Sequence, residues 1–198
     1  MSKGQETKQQ ILATALKIAT QSSLDNLTIG GLAVATGMSK SGLFSHFKSK
    51  ETLQLNVLTF ANELFQSTVI QPINRELDPL GQLLSLCENW LDWYENQAKT
   101  CIFISAAVEF DDQPGAIHDQ VKQDLAHWLG YLTHKVTQVI SAGQFKQDVS
   151  AEQFVFELYA LYLGSQSMSW LGVEDAEHSR FKTALNQLIE RHRAEESV

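Results

Sequence analysis

The chain has 198 residues, 43% of them hydrophobic and 19% charged, which is the composition of a globular protein rather than a disordered or fibrous one. Two cysteines are too few for a disulfide framework, and no apolar run approaches the roughly 20 residues of a membrane-spanning helix. The polar N-terminal segment shows no secretory signal. We therefore expect a cytoplasmic protein that does not associate with a membrane.

The net charge of −8 is distributed unevenly along the chain. Residues 1–50 contain six lysines against one glutamate and one aspartate, a net charge of +4, which leaves −12 for residues 51–198. A basic segment followed by an acidic one is typical of a protein whose first part contacts a polyanion such as nucleic acid. Charge alone leaves chance open as an explanation, because the excess of positive charge is small.

Apolar residues recur with helical periodicity nearly throughout the chain, which predicts an all-α fold. The first helix carries an apolar face that includes Ile11 and Ile18. A short second helix is predicted to begin after Thr28 and to end at Gly37, because a threonine side chain caps a helix N-terminus and glycine adopts the left-handed conformation that ends one. Ser39 is the predicted cap of a third helix.

Six further helices are expected, which gives about nine in total. The fourth is capped by Ser49 and runs to about Pro72. The other five are predicted at residues 80–96, 101–110, 117–142, 150–165 and 176–192. Pro114 is expected at a first helical position after the break that precedes the third of these. Strand and hairpin signals are scarce.

The segment from Thr28 to Phe47 has the residue pattern of a helix-turn-helix. Leu32 and Ala33 face the contact between the two helices, and the small side chain of Ala33 allows them to cross closely. Leu43 and Phe47 anchor the second helix, the recognition helix, from beneath. The outer side of this helix, residues 39–42, is then free to enter a major groove of DNA.

This pattern resembles the tetracycline-repressor (TetR/AcrR) family of bacterial transcription regulators, over about residues 5–66. An ordered set of residues carries the resemblance: Thr28, Leu32, Ala33, Gly37, Ser39, Leu43, Phe44, Ser45, His46, Phe47, Lys50 and Leu53. The resemblance implies an N-terminal three-helix DNA-binding domain at residues 1–49 and a larger helical domain for ligand sensing and dimerisation at residues 50–198. It implies a repressor that a small-molecule effector releases from a palindromic operator in double-stranded DNA, with no enzymatic activity and no cofactor.

The resemblance implies DNA contacts at nine positions. These are Thr28, Ser39, Lys40, Ser41, Gly42, Phe44, His46, Lys48 and Lys50. For His46 and Lys48, a plain solvated surface role stands as the alternative. The chain departs from the family pattern at Phe44, where a tyrosine is usual, and at Gly42, where a threonine or serine is usual, so a hydroxyl is missing at both. The Gly30-Gly31 pair in the second helix is unfavourable and has no explanation from the sequence.

The rest of the chain is expected to supply a homodimer interface and an effector site. One helix-turn-helix makes too few contacts for tight specific binding, so two copies on a palindrome are expected. The predicted dimer surface is formed by apolar stripes of the last two helices: Phe154, Leu158, Leu161, Tyr162, Ser165, Phe181, Leu185 and Leu188. The predicted effector-lining residues lie on the middle helices: Phe60, Leu64, Trp90, Tyr94, Phe103, Trp128 and Tyr131. For each residue of either set, the alternative is that it is an ordinary core residue that contacts only its own chain.

Several alternatives stay open. A helix-turn-helix regulator without a small-molecule inducer, controlled by a protein partner, fits the same motif. A helical enzyme is disfavoured because no nucleophile–base pair, metal-spaced cluster or phosphate loop stands out. His127 and His134 share one helical face and could bind a metal, although a surface role is favoured and no metal site is predicted. Cys87 and Cys101 are either a redox pair or, as we favour, two inert thiols.

Overall fold

The computed structural model describes residues 3–95, 101–173 and 178–195. Within these ranges the chain forms nine α-helices and no strand, which confirms the predicted all-α fold. The helices are α1 (Lys3–Gln21), α2 (Ile29–Thr36), α3 (Lys40–Phe47), α4 (Lys50–Phe65), α5 (Pro79–Glu95), α6 (Ile102–Glu109), α7 (Ala116–Ser141), α8 (Ala151–Trp170) and α9 (Ser179–His192). None of these nine helices is both long enough and apolar enough to cross a membrane.

The chain divides into two compact units. The first contains residues 1–71 and 92–126, and the second contains residues 72–91 and 127–198. Two helices, α5 and α7, contribute residues to both units. The whole helix-turn-helix belongs to the first unit.

In the first unit, α1 packs against α2 and α4 around a small apolar core. The buried face of α1 runs through Ile11, Ala15 and Ala19, as the sequence periodicity predicts. Leu16 is also buried, whereas Ile18 is only half-buried, so the face is turned slightly from the predicted one. The interior side of α4 is almost fully enclosed, because Leu53, Val57, Leu58 and Ala61 have no exposed surface.

Two helix boundaries depend on special backbone geometry. A π-helical segment, Gln66–Ile70, continues α4, so helical backbone reaches almost to the predicted end at Pro72. The predicted position of Pro114 is wrong, because α7 begins at Ala116 and Gly115 separates the proline from the helix with a φ of 155°. Glycine adopts this conformation readily and other residues rarely do.

In the second unit, α8 and α9 pack against each other. Beneath them lies the fully buried side chain of Phe145, in the connection between α7 and α8. The residues beside Phe145 pair with the end of α9: the Lys146 N–H donates to the His192 carbonyl at 2.9 Å, and the Ala194 N–H donates to the Gln144 carbonyl at 3.0 Å. These bonds tie the last described residues of the chain to the connection between α7 and α8.

Candidate DNA-binding site

The helices α2, α3 and α4 at this site each begin at a capping side chain. Thr28, Ser39 and Ser49 each precede a helix, and each side-chain oxygen accepts a hydrogen bond from the N–H three residues later, at 3.0, 3.1 and 3.0 Å. Between α2 and α3, Gly37 has the left-handed φ of 68° that the turn requires. These observations confirm the predicted starts of α2, α3 and α4. Helix N-termini carry positive partial charge and free N–H groups, both of which favour anions.

The recognition helix α3 is anchored on one side and open on the other. Leu43 and Phe47 have no exposed surface, and they pack with the buried Leu32 and Ala33 of α2 in the apolar core of the first unit. Phe44, one residue after Leu43, is 56% exposed. The other predicted contact residues of α3 and its cap are Ser39, Lys40, Ser41 and His46, which are exposed, and Gly42, which is half-buried. The helix therefore presents a polar surface with one aromatic ring.

The structure gives a packing reason for Gly31 at the start of α2, whereas a side chain on Gly30 would make only ordinary contacts. A Cβ atom on Gly30 would lie 3.5 Å from Cε and 3.7 Å from Nζ of Lys40, and 4.0 Å from Oγ1 of Thr28. A Cβ atom on Gly31 would lie only 3.3 Å from the same Thr28 oxygen. Lys40 of α3 therefore extends across the first turn of α2. An ammonium, a hydroxyl and a helix N-terminus converge at one place, an arrangement that suits a phosphate group.

Gly42 makes room for the cap of its own helix. A Cβ atom here would lie 3.1 Å from Ser39 Oγ, which is closer than most real contacts. That oxygen already accepts the Gly42 N–H and is 3.2 Å from the hydroxyl oxygen of Ser41. The missing side chain therefore keeps the capping oxygen uncrowded.

A tight turn joins α3 to α4. Lys48 has φ 58° and ψ −36°, and the Ser49 N–H donates to the Phe47 carbonyl at 2.6 Å, which together form a γ-turn. This backbone conformation is strained for a lysine. Lys48 and Lys50 are both exposed, on either side of the Ser49 cap.

Lys50 has an acidic neighbour that the sequence did not reveal. Its Nζ atom is 2.8 Å from Oδ1 of Asp25, in the turn between α1 and α2. The Asp25 N–H donates to Oε2 of Glu109 at 3.1 Å, and the buried side-chain amide of Gln54 donates to the Leu24 carbonyl at 2.8 Å. These pairs are 25, 84 and 30 positions apart in the chain, so no local pattern could have indicated them.

Two family models match the chain. Residues 11–57 match the bacterial regulatory proteins of the tetR family, and residues 79–185 match the tetracyclin repressor-like C-terminal domain. The second match alone spans more than half of the chain. The chain belongs to the TetR family. The family predicted from the sequence is therefore confirmed. TetR-family proteins are DNA-binding transcription regulators and not enzymes.

Solved structures of TetR-family regulators share the fold of this chain. A TetR-family transcriptional regulator from Cytophaga hutchinsonii has a TM-score of 0.85 at 19% identity, over 99% of each chain. A putative transcriptional regulator from Saccharomonospora viridis in complex with choline has a TM-score of 0.79 at 20% identity, over 96% of this chain and 99% of that one. AibR in complex with isovaleryl coenzyme A and operator DNA has a TM-score of 0.67 at 16% identity, over 92% of this chain and 96% of that one. No curated protein sequence matches the chain.

The residues predicted to line an effector site fall in both compact units of this TetR-family chain. Phe60, Leu64 and Phe103 belong to the first, and Trp90, Trp128 and Tyr131 belong to the second. The side chain of Tyr94 lies outside the described residues. In the second unit the three side chains form one aromatic cluster. The ring centroids of Trp90 and Trp128 are 5.0 Å apart, and those of Trp128 and Tyr131 are 6.0 Å apart. In the first unit, Phe103 is buried, whereas Phe60 and Leu64 are half-buried.

Most of the residues predicted for the dimer surface are buried within the chain itself. The buried ones are Phe154, Leu158, Tyr162, Phe181, Leu185 and Leu188, which fill the core of the second unit. Leu161 and Ser165 are half-buried, and Leu161 lines a surface groove of about 580 Å³ between α8 and α9. Four other apolar residues of α8 are exposed: Phe156 (68%), Leu163 (37%), Met168 (48%) and Trp170 (79%).

The remaining polar candidates lie outside the helix-turn-helix segment of the sequence. His127 and His134 are exposed. Among the described residues, no group of three histidine, cysteine, aspartate or glutamate side chains is placed to hold a metal ion. Both cysteines are buried, and burial raises the pKa of Cys87 to about 12.

The buried thiol of Cys87 is expected to be inert in the native protein. Because the thiolate is the reactive form, a raised thiol pKa and a closed environment both slow its reaction with an aromatic disulfide reagent. In a Cys101→Ser variant, we expect no labelling of the native protein at about pH 8 and rapid labelling after denaturation in urea. Rapid labelling of the native variant would contradict the burial of this residue.

Phe44→Tyr is expected to tighten binding to operator DNA modestly and to leave folding unchanged. The exposed ring end can carry a hydroxyl without disturbing the core, and that hydroxyl can donate to a phosphate. A solvent-exposed hydrogen bond of this kind corresponds to a gain of about two- to tenfold in affinity. Equal affinities of the two proteins across a series of salt concentrations would contradict this role for Phe44.

Proposed function

We propose that this TetR-family regulator is a homodimeric repressor that a small-molecule effector releases from a palindromic operator. The observation that carries the proposal is the open outer surface of α3, held above the buried Leu43 and Phe47. Residues 1–49 would read the DNA, and residues 50–198 would sense the effector and form the dimer. Such a repressor works in the cytoplasm, on double-stranded operator DNA.

In this proposal, α3 lies in the major groove. Residues 39–42 approach the base edges, and Thr28 and Lys40 bind one phosphate at the start of α2. The remaining proposed backbone contacts are Phe44, His46, Lys48 and Lys50. The exposure of these side chains and the three capped helix N-termini support the assignment. AibR, of the same fold, is described in complex with operator DNA, which supports this function.

Three of the four exposed apolar residues of α8 support the proposed homodimer. Phe156, Leu163 and Trp170 recur every seven positions, so they lie along one side of the helix. Large apolar side chains exposed together on a protein surface mark an interaction site. We assign a second copy of the chain to this side, so that α8 and α9 of two protomers form a four-helix bundle. Leu161 and Ser165 lie on the opposite side of α8 from these three residues, towards α9, so their predicted interface role is not part of this assignment.

An unpaired buried donor supports an effector site in the first unit. The Trp93 indole is 6% exposed, and its N–H has no hydrogen-bond partner among the described residues. Phe65 and Phe103 surround it, with ring centroids 5.4 and 6.4 Å from that of Trp93. A buried unsatisfied donor costs about 1–3 kcal/mol, which an acceptor on a bound molecule would offset. Isovaleryl coenzyme A in AibR and choline in the S. viridis regulator support a small-molecule effector here.

The proposed mechanism has two states. In one, the recognition helices of the dimer are one DNA turn apart, about 34 Å, and bind both half-sites. In the other state the recognition helices are not placed to bind both half-sites. An effector that binds this second state more tightly shifts the population towards it, and the operator is released. We propose α4 as the connection between the two events, because it begins at Lys50 and carries Phe60 and Leu64.

Footprinting of the purified protein on the DNA that flanks its own gene tests the proposal. We expect protection of a palindrome, and loss of that protection with one member of a compound library. Sedimentation should give a dimer with and without that compound. A monomer in solution, or no preference for any duplex over a scrambled competitor, would refute the proposal.

A further inference from the structure

Glu109 occupies an unfavourable position for a carboxylate. It is the last residue of α6, where the partial negative charge of the helix end repels it. It is also half-buried, and this burial raises its pKa, although hydrogen bonds from the backbone of Asp25 and Leu24 oppose the shift. A residue whose charge is unfavourable within its own helix is expected to have a role in contacts with another part of the molecule.

The contacts of Glu109 lead to the DNA-binding surface. Its Oε2 atom accepts the Asp25 N–H at 3.1 Å, and the Asp25 carboxylate in turn is 2.8 Å from the Lys50 ammonium. The side chains of Lys50 and Asp25 are 45% and 52% exposed, so a phosphate can reach the same ammonium from solvent. Gln54 holds the same turn through the Leu24 carbonyl. The Asp25 carboxylate is therefore fixed beside the proposed phosphate ligand.

We propose that Asp25 competes with a DNA phosphate for the Lys50 ammonium, and that Glu109 is the positioning residue that holds Asp25 in place to do so. The inference rests on the proposed DNA contact of Lys50. A carboxylate and a phosphate offer an ammonium the same anionic oxygen acceptors. One ammonium shared between two anions leaves one negative charge uncompensated, so Asp25 weakens the contact with DNA. The pair sets an upper limit on operator affinity.

Four proteins test the competition: the wild type, Asp25→Asn, Lys50→Met and the double variant. Their binding to a fluorescently labelled duplex of mixed sequence is measured by anisotropy at several salt concentrations. The exposed pair predicts a gain in affinity of about two- to fivefold for Asp25→Asn. The gain should disappear in the Lys50→Met background and shrink as salt screens the charges.

Glu51→Gln is the matched control. It removes the same charge one position from Lys50, and among the described residues Glu51 forms no ion pair. Any effect of Glu51→Gln should be the same with and without Lys50, because it acts only through the general field. Thermal unfolding of each variant shows that it is folded.

Glu109 is tested by two substitutions. Glu109→Ala removes the acceptor of the Asp25 N–H and should give a smaller gain in affinity than Asp25→Asn. The gain should vanish when Asp25→Asn is also present, which a general loss of stability would not produce. Glu109→Gln keeps an acceptor oxygen and should stay closer to the wild type than Glu109→Ala.

The outcomes separate this inference from the proposed function. If the wild type binds DNA but Asp25→Asn does not increase the affinity, the competition alone is overturned. The same holds if the increase persists in the Lys50→Met background. An additive effect of Glu109→Ala and Asp25→Asn overturns the positioning role. Failure of the wild type to bind any duplex overturns the proposed function and this inference together.

Discussion

Phe47→Ala is expected to destabilise the protein by about 3–5 kcal/mol and to abolish DNA binding at growth temperature. Phe47 has no exposed surface and ends α3, so its truncation leaves a cavity beneath the recognition helix. The loss is a large part of the roughly 5–15 kcal/mol that stabilises a typical domain. Urea denaturation followed by circular dichroism gives the change in the free energy of unfolding, and anisotropy gives the loss of DNA affinity.

Phe44→Ala is the matched control for this experiment. It removes the same ring from the same helix, three positions earlier, where 56% of the side chain is exposed. Its cost in unfolding free energy should be no more than about 0.5 kcal/mol, while its DNA affinity falls through the loss of a surface contact. Similar destabilisation by the two substitutions would show that α3 is not oriented as described.

Phe156→Asp is expected to dissociate the proposed dimer. A charged side chain replaces an aromatic one at the surface assigned to the second copy, and both partners lose the contact because the interface is symmetric. Loss of a central aromatic contact costs at least about 2 kcal/mol, which corresponds to a roughly 30-fold weaker dimer. Sedimentation over a range of protein concentrations measures the dissociation constant, and operator affinity should fall with it.

Val34→Asp is the control for the dimer experiment. Val34 is an apolar residue of α2 that is 85% exposed, so the substitution places the same charge on a different surface. The dimer dissociation constant should be unchanged in this variant. Dimerisation that survives Phe156→Asp, or that both substitutions weaken equally, would argue against the assigned side of α8.

The start of each helix in the DNA-binding region could be predicted because the chemistry is local. Thr28, Ser39 and Ser49 cap N–H groups three residues away, and Gly37 needs only its own backbone freedom to make the turn. The anchoring of α3 followed from the same short-range pattern. Apolar periodicity and capping preferences were therefore enough to predict the roles of these residues.

The partners that cover each apolar surface could not be predicted in the same way. In α8, Phe154 and Leu158 form one apolar stripe, but Phe156, Leu163 and Trp170 form another. Periodicity identified the first stripe, but it could not say whether α9 of the same chain or a second copy covers it. The pairing of Lys50 with Asp25 and that of Asp25 with Glu109 were hidden for a related reason, since the partners are 25 and 84 positions apart in the sequence.

The γ-turn at Lys48 bears on how a signal can reach DNA. Only two residues separate α3 from α4, one held in a strained conformation and the other occupied in capping the next helix. Such a short connection limits the independent rotation of the recognition helix. In the proposed dimer, a tilt of α4 would therefore carry α3 with it and move one half-site contact out of register with the other.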